Sequence, residues 1–268
     1  MKFSTNTRNI VLIPLLVLIF LFASFKPTGV KIYKINRIVI DAGHGGKDPG
    51  TMGKISKEKN VAFEIAIELG RIIKENIKDV EVIYTRDSDK FIELENRASI
   101  ANKNDADLFI SIHCNAVASN TERIHGTETY VMGTHTSQGN FEVAKRENSV
   151  ILLENNYEER YEGFDPSSPE SLILFSLYQK AYFENSLNLA SKVEEQFTKR
   201  VGRTSHGVKQ AGFWVLWRTA MPSVLIEVGF LSNPKEERYL NDDLAQVYLA
   251  SAIFRAFRDY KAELESDQ

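Results

Sequence analysis

Two histidines and two glutamates, each beside a strand-like apolar run, have the types and spacing that suit metal chemistry. They are His44 in IDAGHGG, Glu58 in SKEKN, His113 in SIHCN and Glu227 in IEVGFLSN. A catalytic zinc needs three nitrogen or oxygen ligands, an open position for water, and a nearby carboxylate that moves the proton of that water. His44, Glu58 and His113 can supply the three ligands. Glu227 can supply the carboxylate, so the pattern indicates a zinc hydrolase.

Three of these residues also have a plainer structural explanation. His44 lies between glycines that let the backbone turn and the imidazole face a cleft, but a histidine in an ordinary turn fits the segment as well. Glu58 follows Ser56, a predicted helix N-cap, and the first turn of a helix favours a carboxylate without any metal. His113 ends an apolar strand, where zinc, a backbone carbonyl or Asn115 would satisfy its ring.

Glu227 is the sharpest single signal. It lies inside the apolar run 224–228, where an unpaired charge is costly. A nearby cation is the functional explanation. A buried arginine or lysine partner is the structural one, with Arg218 as an available residue.

Composition narrows the function classes. At 268 residues and 43% hydrophobic content the chain can bury one sizeable core, which we assign to one domain. A net charge of -3 without a dense basic block gives no footprint for nucleic acid. The single cysteine, Cys114, excludes an internal disulfide and is best explained as a small buried residue. His125, His135 and His206 lie in polar segments and are expected at the surface.

The N-terminus predicts export. Residues 10–25 form an almost uninterrupted apolar run, preceded by Lys2 and Arg8. We predict a signal peptide or membrane anchor over residues 1–26, with removal and retention both open, and a linker over residues 27–36. The folded part is then expected in the periplasm or cell envelope, with membrane contact only through the N-terminal segment if it is retained.

The apolar pattern predicts an α/β fold with a mixed, largely parallel central sheet flanked by helices on both faces. Strands are predicted over residues 37–41, 80–84, 107–113, 127–132 and 223–228, and helices from Ser56, over 91–102, near 141–155 and at the C-terminus, with a long helix or a broken pair over 172–201. The acidic segment 156–170 is expected to be an exposed loop. A parallel sheet has its ligand site at the carboxyl ends of its strands. His44 and His113 both follow strands, so we expect them at one rim.

Several motifs in order resemble one family. They are IVIDAGHGGKDPG at 38–50, SKEK at 56–59, TR at 85–86, SIHCNA at 111–116, GTETY at 126–130 and EVGFLSN at 227–233. Together they resemble the zinc-dependent N-acetylmuramoyl-L-alanine amidases of the family 3 type, over roughly residues 37–260. The resemblance implies cleavage of the amide between N-acetylmuramic acid and the L-alanine of the stem peptide in peptidoglycan.

The resemblance also implies roles for the residues. His44, Glu58 and His113 would bind Zn²⁺, and Glu227 would be the general base and acid. The catalytic domain would span residues 37–262. Members of this family that act in cell separation often carry an insertion after the GTETY segment. A helix of that insertion covers the zinc until an activator protein displaces it. In this chain, residues 133–170 occupy the place of the insertion. We hypothesise that Glu147 blocks the open zinc position.

Two other functions fit parts of this pattern. The ligand set alone does not identify the bond that is cleaved, so a zinc peptidase acting on stem peptides is one alternative. A peptidoglycan-binding module that has kept the fold without catalysis is the other, although retention of all four site residues argues against it. The products separate the three functions, because only an amidase releases intact stem peptides from the sugar chains.

Overall fold

The structure is a computed structural model that describes residues 34–119, 121–134, 137–161, 164–168, 171 and 181–266. The predicted export segment, most of the predicted linker and His135 lie outside the described residues. Among the described residues, no helix combines the length and apolar composition needed to cross a membrane.

The described chain alternates strands and helices. The strands are β1 (Arg37–Ala42), β2 (Glu81–Tyr84), β3 (Leu108–Asn115), β4 (Thr127–Met132), β5 (Ser205–Ala211) and β6 (Ser223–Phe230). The helices are α1 (Glu58–Asn76), α2 (Leu94–Lys103), α3 (Gln138–Asn148), α4 (Tyr157–Arg160), α5 (Phe183–Gln196), α6 (Trp214–Trp217), α7 (Pro234–Leu240) and α8 (Asp243–Ser266). A 3₁₀ helix at Ser149–Leu153 follows α3, and a π-helical turn at Phe197–Val201 follows α5.

The six strands form one sheet in the order β2-β1-β3-β6-β4-β5. In the described part of the chain, β4 and β6 pair antiparallel, and the other neighbouring strands pair parallel. The predicted mixed, largely parallel sheet is therefore confirmed. Every residue of β3 and of β6 is buried, as expected for central strands with both faces covered.

Helices cover both faces of the sheet, as predicted. One apolar cluster joins the sheet to α1, α5 and α8. The other joins the opposite face to α2, α3 and α6. The long helices α1 and α8 lie on the same face of the sheet and contact each other. Because α1 packs against both α8 and β3, its first residue, Glu58, is fixed against the sheet.

Some local predictions differ from the structure. Helix α1 begins at Glu58 after Lys57, so the predicted cap at Ser56 is wrong. The reason is a competing acceptor: the Glu237 carboxylate accepts hydrogen bonds from the Ser56 hydroxyl and from the amides of Ser56 and Ile55. Strand β5 was not predicted, because it is a partly exposed edge strand in which Val208 and Ala211 are the apolar residues.

The segment over residues 133–170 is more helical than predicted. The helix expected near 141–155 is α3, which begins earlier, followed by the 3₁₀ helix. Helix α4 lies in a stretch expected to be a loop. The long helix or broken pair predicted over 172–201 is described only from residue 181, where α5 and its π-helical turn confirm the helical pattern.

Candidate metal centre

His44 lies two residues after β1, in a backbone conformation that non-glycine residues rarely adopt, with φ at 60°. The preceding Gly43 is required for close packing, because a Cβ there would lie 2.5 Å from Cε1 of His113. The chain can therefore turn over the end of the sheet with the imidazole of His44 beside that of His113. Their ring centroids are 4.9 Å apart.

Two buried arginines hold this turn. Arg97 donates from Nη2 to the carbonyl of His44 at 2.7 Å and from Nη1 to that of Ala42 at 2.8 Å. Arg86 donates to the carbonyls of Ala42 and Gly43, both at 2.9 Å. Burial lowers the pKa of Arg86 to about 10, which still leaves it charged at neutral pH. These bonds compensate the unfavourable backbone angle of His44.

Asp48 fixes the tautomer of His44. Its Oδ2 lies 2.7 Å from Nδ1 of His44, and both side chains are buried. An ionised carboxylate only accepts hydrogen bonds, so Nδ1 carries a proton and the lone pair of the neutral ring is on Nε2. This is the arrangement by which carboxylates orient histidine ligands in metal sites.

Glu58 is the first residue of α1 and is fully buried. Its Oε2 accepts the amide of Thr51 at 2.7 Å, and its Oε1 accepts the amide of Cys114 at 2.8 Å. These hydrogen bonds orient the carboxylate, and nearby imidazoles also stabilise its charge. Although burial raises the pKa of Glu58, the nearby His44 and the hydrogen bond from the His113 imidazole outweigh burial and hold that pKa well below its ordinary value.

The structure brings the three predicted ligand residues together with Glu147. Nε2 of His44 lies 3.1 Å from Oε1 of Glu58 and 3.2 Å from Oε2 of Glu147. Nδ1 of His113 lies 3.0 Å from each of these two oxygens. The four ligand atoms lie within 4.8 Å of one another, and all four residues are buried.

This geometry fits a zinc ion. Ligands that surround zinc as a tetrahedron are about 3.3 Å from one another, close to the observed separations. Nε2 of His44 and Oε2 of Glu147 are buried without a hydrogen-bond partner among the described residues. Burial lowers the pKa of His113, but Glu147 and Glu58 overcome this effect and raise it to about 9. Two carboxylates that attract a proton this strongly also favour a divalent cation between the imidazoles.

Glu227 lies beside this cluster on β6, directly opposite His113 of β3 in the strand register. Its side chain is fully buried. Burial, reinforced by Glu147, raises the pKa of Glu227 well above its ordinary value, although Arg146 acts in the opposite direction. Its Oε1 lies 3.5 Å from Nη2 of Arg146, and its Oε2 is buried without a hydrogen-bond partner in the described chain.

Arg218, the buried partner considered for Glu227, does not have that role. It is exposed, and its guanidinium stacks on Trp217, with Cζ 4.2 Å from the ring centroid. Arg146 of the insertion is the cation that meets Glu227, and sequence reasoning missed it because ion pairs between distant segments leave no local pattern. Asp48 was also missed, although its position four residues after His44 could have indicated a hydrogen bond to that ring.

Cys114, His125 and His206 lie where the sequence predicts. Cys114 is fully buried, and burial together with nearby carboxylates raises the pKa of its thiol well above the ordinary value. It is therefore a packed residue with no thiolate to act as a nucleophile, as predicted. His125 and His206 are exposed, as predicted.

Two imidazoles and carboxylates at the carboxyl rim of an α/β sheet are typical of metal-dependent hydrolases. A family model described as N-acetylmuramoyl-L-alanine amidase matches residues 38–259. N-acetylmuramoyl-L-alanine amidase AmiA of Escherichia coli K12 is 31% identical over 239 residues, covering 88% of this chain and 79% of AmiA. The chain belongs to the N-acetylmuramoyl-L-alanine amidase family.

Solved structures agree with this assignment. The N-acetylmuramoyl-L-alanine amidase from Clostridium difficile 630 matches with a TM-score of 0.63 at 28% identity, over 85% of this chain and 97% of that one. The catalytic domain of CwlV, an amidase from Paenibacillus polymyxa, matches with a TM-score of 0.56 at 29% identity, over 84% of this chain and 98% of that one. The predicted family, fold and hydrolase class are confirmed.

Proposed function

We propose that the protein cleaves the amide between N-acetylmuramic acid and the L-alanine of the stem peptide, with Zn²⁺ held by His44, Glu58 and His113. Glu227 is the general base and then the general acid. The observation that carries this proposal is the convergence of the four buried ligand atoms beside Glu227. A zinc ion held there would supply Lewis acidity toward the attacking water and the scissile carbonyl.

The role of Glu227 follows from its surroundings. A general base works best when its pKa is near the operating pH, and burial moves the pKa of Glu227 upward in that direction. The unpartnered Oε2 is free to accept the proton of the attacking water and to deliver it to the departing nitrogen. Its fixed place on a central strand lets the same carboxylate carry out both transfers.

We further propose that the described arrangement is a closed, inactive state. Oε2 of Glu147 lies 3.2 Å from Nε2 of His44 and 3.0 Å from Nδ1 of His113, where it would take the fourth position around a zinc ion. A catalytic zinc needs that position for water. At the same time Arg146 pairs with Glu227, so neighbouring residues of α3 engage both the ligand set and the general base.

Helix α3, which we call the covering helix, is held at both ends. At its start Nδ2 of Asn140 donates to the carbonyl of Gln210 on β5 at 3.3 Å, and the Ser137 hydroxyl caps the helix. At its end the Asn148 side chain donates to the carbonyl of Gly212 at 2.7 Å and accepts the amide of Trp214 at 2.8 Å. Its apolar side packs in the cluster that also contains residues of α2 and α6. An opening that removes both Arg146 and Glu147 from the site must therefore displace a packed helix.

This need for displacement supports the further proposal that an activator protein acts on the insertion over residues 133–170. A hydrolase that is inactive until a partner binds suits a site in the cell envelope, where uncontrolled cleavage of peptidoglycan would be harmful. We propose export through the segment 1–26, a linker over 27–36 and a catalytic domain over 37–262, with a role in wall remodelling or daughter-cell separation.

Mass analysis of the fragments released from purified sacculi tests this function. The full chain is compared with a variant that lacks residues 133–170, and both are assayed with added zinc. We expect intact stem peptides that begin with L-alanine, and more of them from the deletion variant. Shortened peptides or single amino acids would identify a peptidase instead. A folded, zinc-loaded deletion variant that releases nothing would contradict the amidase proposal.

A further inference from the structure

A cavity of about 620 Å³ lies beside the metal centre, at the ends of β3 and β4 and against the covering helix. Its size is that of a site for a short peptide or a small molecule. Its polar lining comes from Asn115, Glu128, Tyr130, Glu142, Arg146 and Lys209. The cavity adjoins the general base, because Arg146 contacts Glu227 from its wall.

Asn115 presents a fixed hydrogen-bond acceptor in this cavity. Its Nδ2 donates to Oε2 of the buried Glu128 at 2.9 Å. Its Oδ1 accepts from Nη2 of Arg146 at 3.0 Å. A carboxylate can only accept and a guanidinium can only donate, so this orientation of the Asn115 amide is the one that satisfies both neighbours. Tyr130 also donates to Oε2 of Glu128, at 2.7 Å, which holds that carboxylate in place.

Arg146 occupies two acceptors that line the cavity, on Asn115 and Ala116, and one beside it, on Glu227. It donates to Oδ1 of Asn115, to the carbonyl of Ala116 at 3.2 Å, and to Oε1 of Glu227 at 3.5 Å. When the covering helix leaves, the carbonyl of Ala116 and Oε1 of Glu227 lose this donor, and Oδ1 of Asn115 keeps only the amide of Ala116, which leaves its second lone pair open. A substrate with regularly spaced N–H groups could donate to these acceptors in place of the Arg146 guanidinium, and a peptide has such groups.

Lys209 of β5 adds a positive charge to the same cavity. Its Nζ pairs with Oε1 of Glu128, and its side chain is 26% exposed. An ammonium group has three donors, so one ion pair leaves capacity for a second carboxylate. The sugar side of the scissile bond has no free carboxylate to offer nearby, since the lactyl carboxyl group of the muramic acid forms the amide itself. A stem peptide does carry free carboxylates.

We propose that this cavity binds the peptide side of the scissile amide, with Asn115 and Ala116 accepting its N–H groups and Lys209 binding one of its carboxylates. This assignment rests on the proposed amidase function and deepens it by naming the substrate chemistry beyond the cleaved bond. Arg146 then holds the place of the peptide in the closed state.

Calorimetric titration with a product peptide tests the assignment. The full chain with Arg146→Ala and Glu147→Ala is titrated with a stem peptide that begins with L-alanine and has free carboxylates, and with the same peptide after conversion of its carboxylates to carboxamides. Because the Lys209 ion pair is partly exposed, we expect Lys209→Met to raise the Kd of the free peptide about tenfold. Lys209→Arg should restore the affinity, and the amidated peptide should bind about equally to all three proteins.

Lys199→Met, at an exposed position of the π-helical turn after α5, is the matched control and should leave both Kd values unchanged. Equal Kd values for the two peptides, or the same loss on both after Lys209→Met, would overturn the assignment. Sacculus cleavage by the same open variant is scored separately. Peptide binding that depends on Lys209, without cleavage of sacculi, would refute the amidase function and leave the cavity assignment standing. Cleavage of sacculi without any effect of Lys209 on peptide affinity would refute the cavity assignment alone.

Discussion

Replacement of Glu147 by alanine should activate the protein without any partner. The Glu147 side chain is 4% exposed, so solvent screens its contacts with the two imidazoles very little. Loss of one partner from a buried charged set costs about 3–5 kcal/mol. We take the loss of stability of the closed state to be about 3 kcal/mol, and about 1.4 kcal/mol corresponds to a factor of ten. The fraction of open molecules should therefore rise on the order of 10²-fold, until the open state predominates.

Arg146→Ala should have a smaller effect. Its side chain is 30% exposed, and its contacts with Glu227, Asn115 and Ala116 are 3.0–3.5 Å long, so their loss costs the closed state about 1 kcal/mol and should raise activity roughly fivefold. The assay is the release of dye-labelled fragments from purified sacculi at saturating zinc. Glu159→Ala, an exposed residue of the same insertion, is the control and should match the parent protein. Closure by Glu147 is refuted if zinc-loaded Glu147→Ala is no more active than the parent, or less active than Arg146→Ala.

Three further predictions concern the site and its support. Glu227→Gln should keep zinc and lose turnover by about 10²-fold or more, whereas His44→Ala should lose zinc, and equal metal loss in both would contradict these roles. Asp48→Ala should weaken zinc affinity about 10–100-fold in a competition titration with a chelator, because His44 loses its orienting carboxylate, and unchanged affinity would contradict this. Burial raises the pKa of Asp41, but Arg97 and two hydroxyl groups outweigh burial and hold that pKa below the ordinary 3.8. Near that pKa the unfolded chain binds more protons than the folded chain. The contribution of ionised Asp41 to the free energy of unfolding is therefore complete above about pH 4 and is lost at lower pH. Asp41→Asn should therefore lower the free energy of unfolding by about 3 kcal/mol at pH 7. The difference between the parent and the variant should narrow as the pH falls below about 4. A difference that does not depend on pH in denaturant titrations would contradict this.

The sheet could be predicted because its central strands are continuous apolar runs. β3 and β6 are buried along their whole length, and their patterns mark them without any tertiary information. The rim position of His44 and His113 followed from the parallel arrangement alone. Edge strand β5 has no such run, and it forms because β4 offers it a partner.

The placement of the covering helix depended on interactions that are distant in sequence. Glu147 was proposed from its position in the insertion, but its contacts with His44 and His113 join residues about one hundred and about thirty positions apart. The pairing of Arg146 with Glu227 joins α3 to a strand that comes much later in the chain. Local propensity predicts that a helix forms there, but not which side chains it directs at the metal centre.

X-ray diffraction from crystals of the zinc-loaded full chain, recorded on both sides of the zinc absorption edge, would locate the metal ion. We predict one anomalous peak about 2.0–2.2 Å from Nε2 of His44, a carboxylate oxygen of Glu58 and Nδ1 of His113. Zinc found only at other positions, with these three side chains binding no ion, would contradict it.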